Sequence, residues 1–363
     1  MKLTYLAAST LPSSGADAVH VMNVCKAFAL EGVEVTLIAR KSNSSEDVFD
    51  YYGVERDLFE IHLVQRPNLR FIGGFIFGYN MAKIYKQLPK PDVIYARSMH
   101  ALRRVNPKTI PFFFESHWKP QNRIYSNWQK RWLNQKNLIK FIFISKGLEA
   151  IYTKTFPTKV EKFKVLHDAC NIPNLRSTLP NNKRLQVGYV GSFFKGNGYG
   201  LIPLMAKQLS DVDFHLVGGK EPELSQLKEI YTLNNLTFYG HVAHKELSHI
   251  YLKMDVMLAP YQDDVPSLDW MSPMKLFEYM SYGKAMIVSD YSVIREVLND
   301  SNSILVKSDD LNAWVNALKF LKNDAVRQQM GSYAYANFIE NYTWASRVKE
   351  IISELGKEHS IEK

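Results

Sequence analysis

The stretch LTYLAASTLPSSGADAVHVMNVCKAFALEGVEVTLIA, residues 3–39, decides the fold. It opens with an apolar run, Leu3–Ala8, and closes with another, Val33–Ala39. Between them Asp17 to Glu31 carries Val21, Val24, Cys25 and Phe28 at helical spacing, with Gly32 as a stop. The two runs are unbroken instead of alternating in and out, as strands covered on both faces are. Strand, helix, strand in this order predicts a parallel sheet wound on both sides.

The rhythm continues outward from there. Strands are expected at Glu60–Val64, Val93–Ala96, Phe112–Glu115, Phe141–Ser145 and Lys164–His167. It pauses at Asn171 to Lys183, where two prolines and several asparagines replace apolar periodicity, and reads there as a linker. It then resumes with Gln186–Val190, Asp213–Val217, Leu236–Tyr239, Val256–Ala259, Ala285–Ser289 and Ile304–Val306. The expected fold class is therefore α/β, two Rossmann-like doubly wound parallel-sheet domains, residues 1–170 and 184–340. A C-terminal helix over about 343–358 is expected to pack back on the first of them. Ligands of such sheets bind at the carboxyl ends of the strands.

A chain of 363 residues has room for two such cores. Two isolated cysteines, Cys25 and Cys170, fit a reducing compartment without a disulfide framework. The apolar N-terminus is too short for a signal-peptide core, and no run reaches the roughly 20 residues that cross a bilayer. The expected location is cytoplasmic, with contact to the inner face of the membrane.

The net charge of +9 is unevenly spread: residues 1–170 hold 25 Lys+Arg and 14 Asp+Glu, or +11, which leaves −2 for the rest. From Arg66 to Lys140 there are 15 basic residues against Asp92 and Glu115. Such a face is either simply solvated or meets phosphates and anionic headgroups. Tyr125, Trp128 and Trp132 share one side of a helix flanked by Lys130, Arg131, Lys136 and Lys140. That pattern suits a membrane interface and equally a core-facing stripe.

The sharpest local signal is SPMKLFEYMSYG, residues 272–283. Ser272 is a suitable N-cap, Pro273 a suitable first helical residue and Gly283 a suitable stop. The N-terminus of that helix offers free amides to a phosphate. Glu278 lies one turn further in, where it either pairs with Lys275 on the surface or accepts hydrogen bonds from ribose hydroxyls. A second block, VGYVGSFFKGNGYGLI, runs from a strand into a glycine-rich turn carrying Ser192, Lys195, Gly196 and Asn197. Such a turn lets backbone approach a diphosphate, and Lys195 adds a charge. Gly15 lies in the corresponding turn after the first strand, and His117 and Arg97 follow later strands of the same half.

SPMKLFEYMSYGKAMIVSDYSVIREVL (272–298) resembles the donor-binding signature of the family 4 retaining glycosyltransferases. LVGG (216–219), FYGHVAHKELSHIYLKMDVMLAPY (238–261) and HVMNVCKAFALEGVEVTLIAR (20–40) are similar to further family blocks in the family's order, so the resemblance covers most of the chain. It implies the GT-B fold, a nucleotide-diphosphate sugar as donor, retention of anomeric configuration, and neither metal nor other cofactor. Glu278 matches the second glutamate of the family's Glu-x7-Glu motif, which holds the ribose. Trp270 stands at the place of the first, and Asp269 beside it or backbone amides near Ser272 are the candidate substitutes. The resemblance further assigns Gly219, His241, Val242, Ser272, Met274, Lys275 and Leu276 to the donor and His117 to the donor sugar. The family's basic pair is matched by Lys195 alone, because Ser192 or Asn197 stands where an arginine is common.

The function expected is transfer of a sugar to a cell-surface glycan or lipid-linked acceptor. Arg97, Trp128, Arg131 and Trp132 are the candidates for an acceptor or membrane face, the membrane being anionic. Two other classes fit less of the sequence. A nucleotide-sugar 2-epimerase shares the architecture but resembles the 272–283 block less. A non-enzymatic nucleic-acid binder would use the basic face, which lacks the motifs of RNA-binding modules. No nucleic-acid partner is expected.

Overall fold

The computed structural model describes residues 1–174, 183–194, 196–243 and 246–361. Lys195 and most of the Asn171–Lys183 linker lie outside the described residues. The chain divides into two compact units, Met1–Ala169 with Trp344–Lys363, and Cys170–Thr343.

In the N-terminal unit the described strands are β1 (Lys2–Leu11), β2 (Glu34–Lys41), β3 (Glu60–Val64), β4 (Val93–Ala96), β5 (Phe112–Ser116), β6 (Leu138–Phe143) and β7 (Phe163–Val165). They form one parallel sheet in the order β3-β2-β1-β4-β5-β6-β7. β4 and β5 have no exposed residue, as their unbroken apolar runs required. The helix Ala16–Leu30 follows β1 and buries Val21, Val24, Cys25 and Phe28. The helix Trp344–Ile361 packs on it and on β6 through Trp344, Val348, Ile351 and Leu355, spaced at helical intervals.

The C-terminal unit repeats the plan with β8 (Leu185–Val190), β9 (Val212–Val217), β10 (Leu236–Gly240), β11 (Val256–Ala259), β12 (Ala285–Ser289) and β13 (Ile304–Val306). Their order is β10-β9-β8-β11-β12-β13, again parallel. Two apolar clusters cover its faces, one around Tyr189, Phe214 and Trp314, the other around Met257, Phe277 and Tyr279. Its first and last residues, Cys170 and Thr343, pair with each other in a parallel bridge. Both cysteines are free thiols.

In each sheet the order reverses beside the first strand, between β1 and β4 and between β8 and β11. Those two points are where a doubly wound sheet opens a crevice at its carboxyl edge.

The aromatic stripe of the helix Arg123–Leu133 turns inward, which corrects the membrane reading of Trp128 and Trp132. They are only 6% and 3% exposed. Trp128 packs edge-on against Phe75 and His100, and Trp132 lies against Phe114 of β5. Arg97 is no surface residue either, since its side chain is 8% exposed. Among the described residues no helix is long and apolar enough to cross a membrane.

Candidate functional site

At the switch point of the N-terminal unit the chain buries a cluster of charges. β5 reads FFFES, so its penultimate residue, Glu115, puts a carboxylate at the bottom of the crevice with 1% exposure. Taking that charge out of water is tolerable only with partners. It has several. His117 Nε2 is 2.5 Å from Oε1 and His20 Nε2 is 3.1 Å from it. Arg347 of the C-terminal helix lies 3.1 Å from Oε2, to which Tyr95 Oη also donates. Arg97 Nε stands 3.6 Å away. His20 Nδ1 reaches in turn to Asp168 at 2.8 Å, and its ring meets His117 and Trp344 edge-on.

The protonation states follow from this crowding. Burial alone would raise Glu115, but Arg347, His20 and the hydrogen bonds from the two histidines hold it well below the usual carboxylate range. Burial, and then the Arg97 guanidinium, push His117 down to about 4 against the opposing pull of Glu115. His117 is thus a neutral imidazole donating Nε2–H to Glu115. Burial likewise works against ionisation of Asp168, and His20 more than offsets it.

His20, His117 and Asp168 each bring a ligating atom within 4.8 Å of one another. Sequence spacing shows nothing of this group, whose members lie far apart in the chain. Arg97 and Arg347, which pair with the adjoining Glu115 and act electrostatically on Asp168, oppose a dication there. Gly15 caps the helix Ala16–Leu30 without a side-chain hydrogen bond, and Tyr52 ties the turn before it by exchanging bonds with Ser13.

In the C-terminal unit the helix Met274–Ser281 begins one residue later than the sequence predicts. Pro273 occupies the N-cap in extended conformation, and Ser272 precedes it. Proline has no side-chain acceptor, so no side chain caps this helix. The stop is as read: Gly283 takes φ +61, a left-handed position that favours glycine. Leu276 is fully buried and Met274 partly so.

Glu278 is not a solvated surface glutamate. Half-buried, it accepts a hydrogen bond at 2.6 Å from Tyr251 Oη of the helix Leu247–Lys253. Lys275, a turn earlier, points elsewhere. Its Nζ lies 4.5 Å from the ring centre of Tyr189, near the end of β8, and 5.2 Å from that of Tyr261, just after β11. Burial pushes this lysine down to about 8, with Glu278 acting against the change.

The glycine turn closes over the same edge. Gly218 holds φ +116 with the space of its missing Cβ only 1.9 Å from the Gly191 carbonyl oxygen, so no other residue fits between those turns. Gly219 follows, buried against the Phe193 ring. Asn197 Nδ2 donates to the Ser192 carbonyl and Oγ, each at 3.0 Å. The two residues standing in place of an arginine thus tie the turn to itself. Gly196 lines an open depression of about 450 Å³ with Gln262, Asp263, Asp264 and Asp309. Its carboxylates make it a poor seat for a diphosphate, and the β8–β11 edge beside Lys275 suits one better. His241 is exposed and Val242 half-buried, both just after β10. Asp269 is exposed, whereas Trp270 is buried, so an indole fills the place of the absent carboxylate.

Sequence reasoning gave no role to Glu115, Asp168, Arg347 or Tyr251. One signal was present for the first: an acid closing a run of three phenylalanines demands buried partners. The other three carry no local mark.

Comparison with known proteins adds to this geometry. A family model described as Glycosyltransferase Family 4 matches residues 18–172, and one described as Glycosyl transferases group 1 matches residues 184–324. A relative from Klebsiella pneumoniae, an "Uncharacterized 41.2 kDa protein in cps region", is 25% identical over 187 residues, which is 50% of this chain and 45% of the relative's length. Among solved structures, sucrose-phosphate synthase from Thermosynechococcus elongatus matches with a TM-score of 0.77 at 17% identity, over 100% of both chains. HepE from Anabaena, solved in complex with UDP, matches with a TM-score of 0.75 at 17% identity, over 98% of this chain and 100% of its own. At such identities the likeness shows the fold, the paired parallel-sheet domains of the GT-B class.

Proposed function

The chain belongs to the group 1, family 4 glycosyltransferases, and on that footing we propose that its C-terminal unit holds a nucleotide-diphosphate sugar for transfer to a glycan acceptor. The observation that carries the reading is the placement of Glu278. Its carboxylate is fixed by Tyr251 on the helix that starts beside the β8–β11 switch point, with a side-chain-free N-terminus for phosphate. A carboxylate so held accepts from the paired hydroxyls of a ribose. The neighbour solved with UDP supports a uridine nucleotide.

Catalysis in this reading rests on placing the sugar and stabilising the departing diphosphate, without a metal. His117, neutral and oriented by Glu115, is assigned to the donor sugar, and the N-terminal unit to the acceptor. Transfer retains the anomeric configuration.

Thermal shift with UDP, GDP, ADP and their sugars tests the donor site, since a ligand of the folded state raises its apparent stability. Glu278→Ala is expected to weaken the bound nucleotide roughly 10- to 100-fold, as loss of charged hydrogen bonds does. Unchanged affinity would remove the ribose assignment. The anomer first released when donor is hydrolysed without acceptor, read by proton NMR, checks retention. Turnover unchanged by EDTA is the result expected of a metal-free site.

A further inference from the structure

The first turn of the helix Met274–Ser281 holds an ammonium group that makes no ion-pair contact among the described residues, the nearby Glu278 carboxylate being bound instead by Tyr251. Lys275 Nζ is out of solvent and has no hydrogen-bond acceptor among the described residues. Two tyrosine rings flank it, from residues beside the two strands that part at the switch point. The phenol of Tyr189 is turned away, donating at 2.9 Å to the Ser192 carbonyl, so it offers the cation its ring and not its oxygen. On the remaining side stands Gly191, the first residue after β8. A Cβ there would come within 2.6 Å of Nζ.

A buried cation packed against π-clouds is poorly compensated, because ring faces replace a small part of the lost hydration. For stability alone a methionine would serve better, as similar volume without charge. The location supplies a different reason. The charge lies at the carboxyl edge of the sheet, beside an uncapped helix N-terminus and against bare backbone, where a diphosphate would rest.

We propose that Lys275 is the cation that pairs with the diphosphate of the donor, kept between Tyr189 and Tyr261 until the nucleotide arrives. It thereby takes the part of the arginine that Ser192 or Asn197 replaces. The inference rests on the reading of the C-terminal unit as a donor site. It goes beyond that reading by naming the group that meets the leaving charge. Stabilising that charge lowers the barrier to breaking the sugar–phosphate bond.

The test uses the full chain, calorimetry, and nucleoside against nucleoside diphosphate for whichever of uridine, guanosine or adenosine binds. Lys275→Met is expected to weaken the diphosphate roughly 10- to 100-fold while nucleoside affinity stays within about twofold. Without ligand the same variant should melt no lower than the wild type. Lys275→Arg should recover part of the lost affinity. Wild-type affinity for the diphosphate should fall above pH 8 and that of Lys275→Arg should not. The titratable groups beside Nζ are the Tyr189 and Tyr261 side chains, whose phenols burial pushes above their usual range, and the Glu278 carboxylate.

Unchanged diphosphate affinity in Lys275→Met, or equal losses for nucleoside and diphosphate, would overturn the assignment. The donor reading would then still stand on Glu278→Ala. If the wild type binds none of the three nucleoside diphosphates, that reading fails and this inference with it.

Discussion

The two switch points treat buried charge in opposite ways. In the N-terminal unit Glu115 is met by two histidines, two arginines and a tyrosine. In the C-terminal unit Lys275 is met by two aromatic rings and, among the described residues, no hydrogen-bond acceptor. A carboxylate so densely partnered fixes geometry, because the groups around it hold one another in place. An unsaturated charge stores affinity for something that is to come. The contrast implies that the first crevice orients His117 in advance and the second waits for an anion.

The largest expected effect comes from breaking the densely partnered side. Glu115→Ala strands Arg347, Arg97 and His20 together, and loss of one partner from a buried ion pair costs about 3–5 kcal/mol. Urea unfolding at pH 7 measures it. A loss under about 1 kcal/mol would mean that water enters the crevice and the charges are not truly buried. Glu115→Gln keeps the shape, and its cost should be smaller.

Acid probes the same side more gently. Burial holds His100, His117 and His167 each at about 4, helped at His100 and His117 by nearby arginines. Between pH 6.5 and 4 the unfolded chain binds protons that the folded one refuses, so stability falls as pH drops through that window. For His117 alone the loss is on the order of 3 kcal/mol by pH 4. Glu115 acts lower still: its contribution is complete above the ordinary carboxylate range and is lost as pH falls from there toward its depressed folded value. Denaturant midpoints at pH 7 and pH 5 decide the matter. A flat profile would mean that the imidazoles titrate normally.

The fold was legible in the sequence because its strands are short apolar runs and its helices announce their faces. The six strands read after the linker match those observed to within a residue at each end. Trp128 and Trp132 were not legible: a stripe of aromatics among cations looks the same whether it meets lipid or core, and only the position of β5 settles which. The helix at 274 was legible as an element, yet its cap was not, since proline takes the N-cap and the first helical position alike. The site divides in the same way. Glu278 is marked by its motif, but Tyr251, which holds it, lies 27 residues earlier and is an ordinary apolar helix residue by pattern. Arg347 meets Glu115 across 232 residues, a pairing that no local spacing can express.

That dependence of Glu278 on Tyr251 gives the smallest and most selective prediction. Tyr251→Phe removes one hydroxyl and leaves the packing against Tyr279 and Tyr282 in place. The direct cost is a single hydrogen bond to a charged acceptor, about 1.5 kcal/mol with wide scatter. If Glu278 holds ribose, freeing its carboxylate should weaken nucleoside and nucleoside diphosphate alike, by about fivefold, because the ribose is common to both. Lys275→Met is expected to separate the same two ligands. A Tyr251→Phe protein that loses only the diphosphate would place Glu278 near the phosphates, and the contrast between a carboxylate for ribose and an ammonium for phosphate would have to be redrawn.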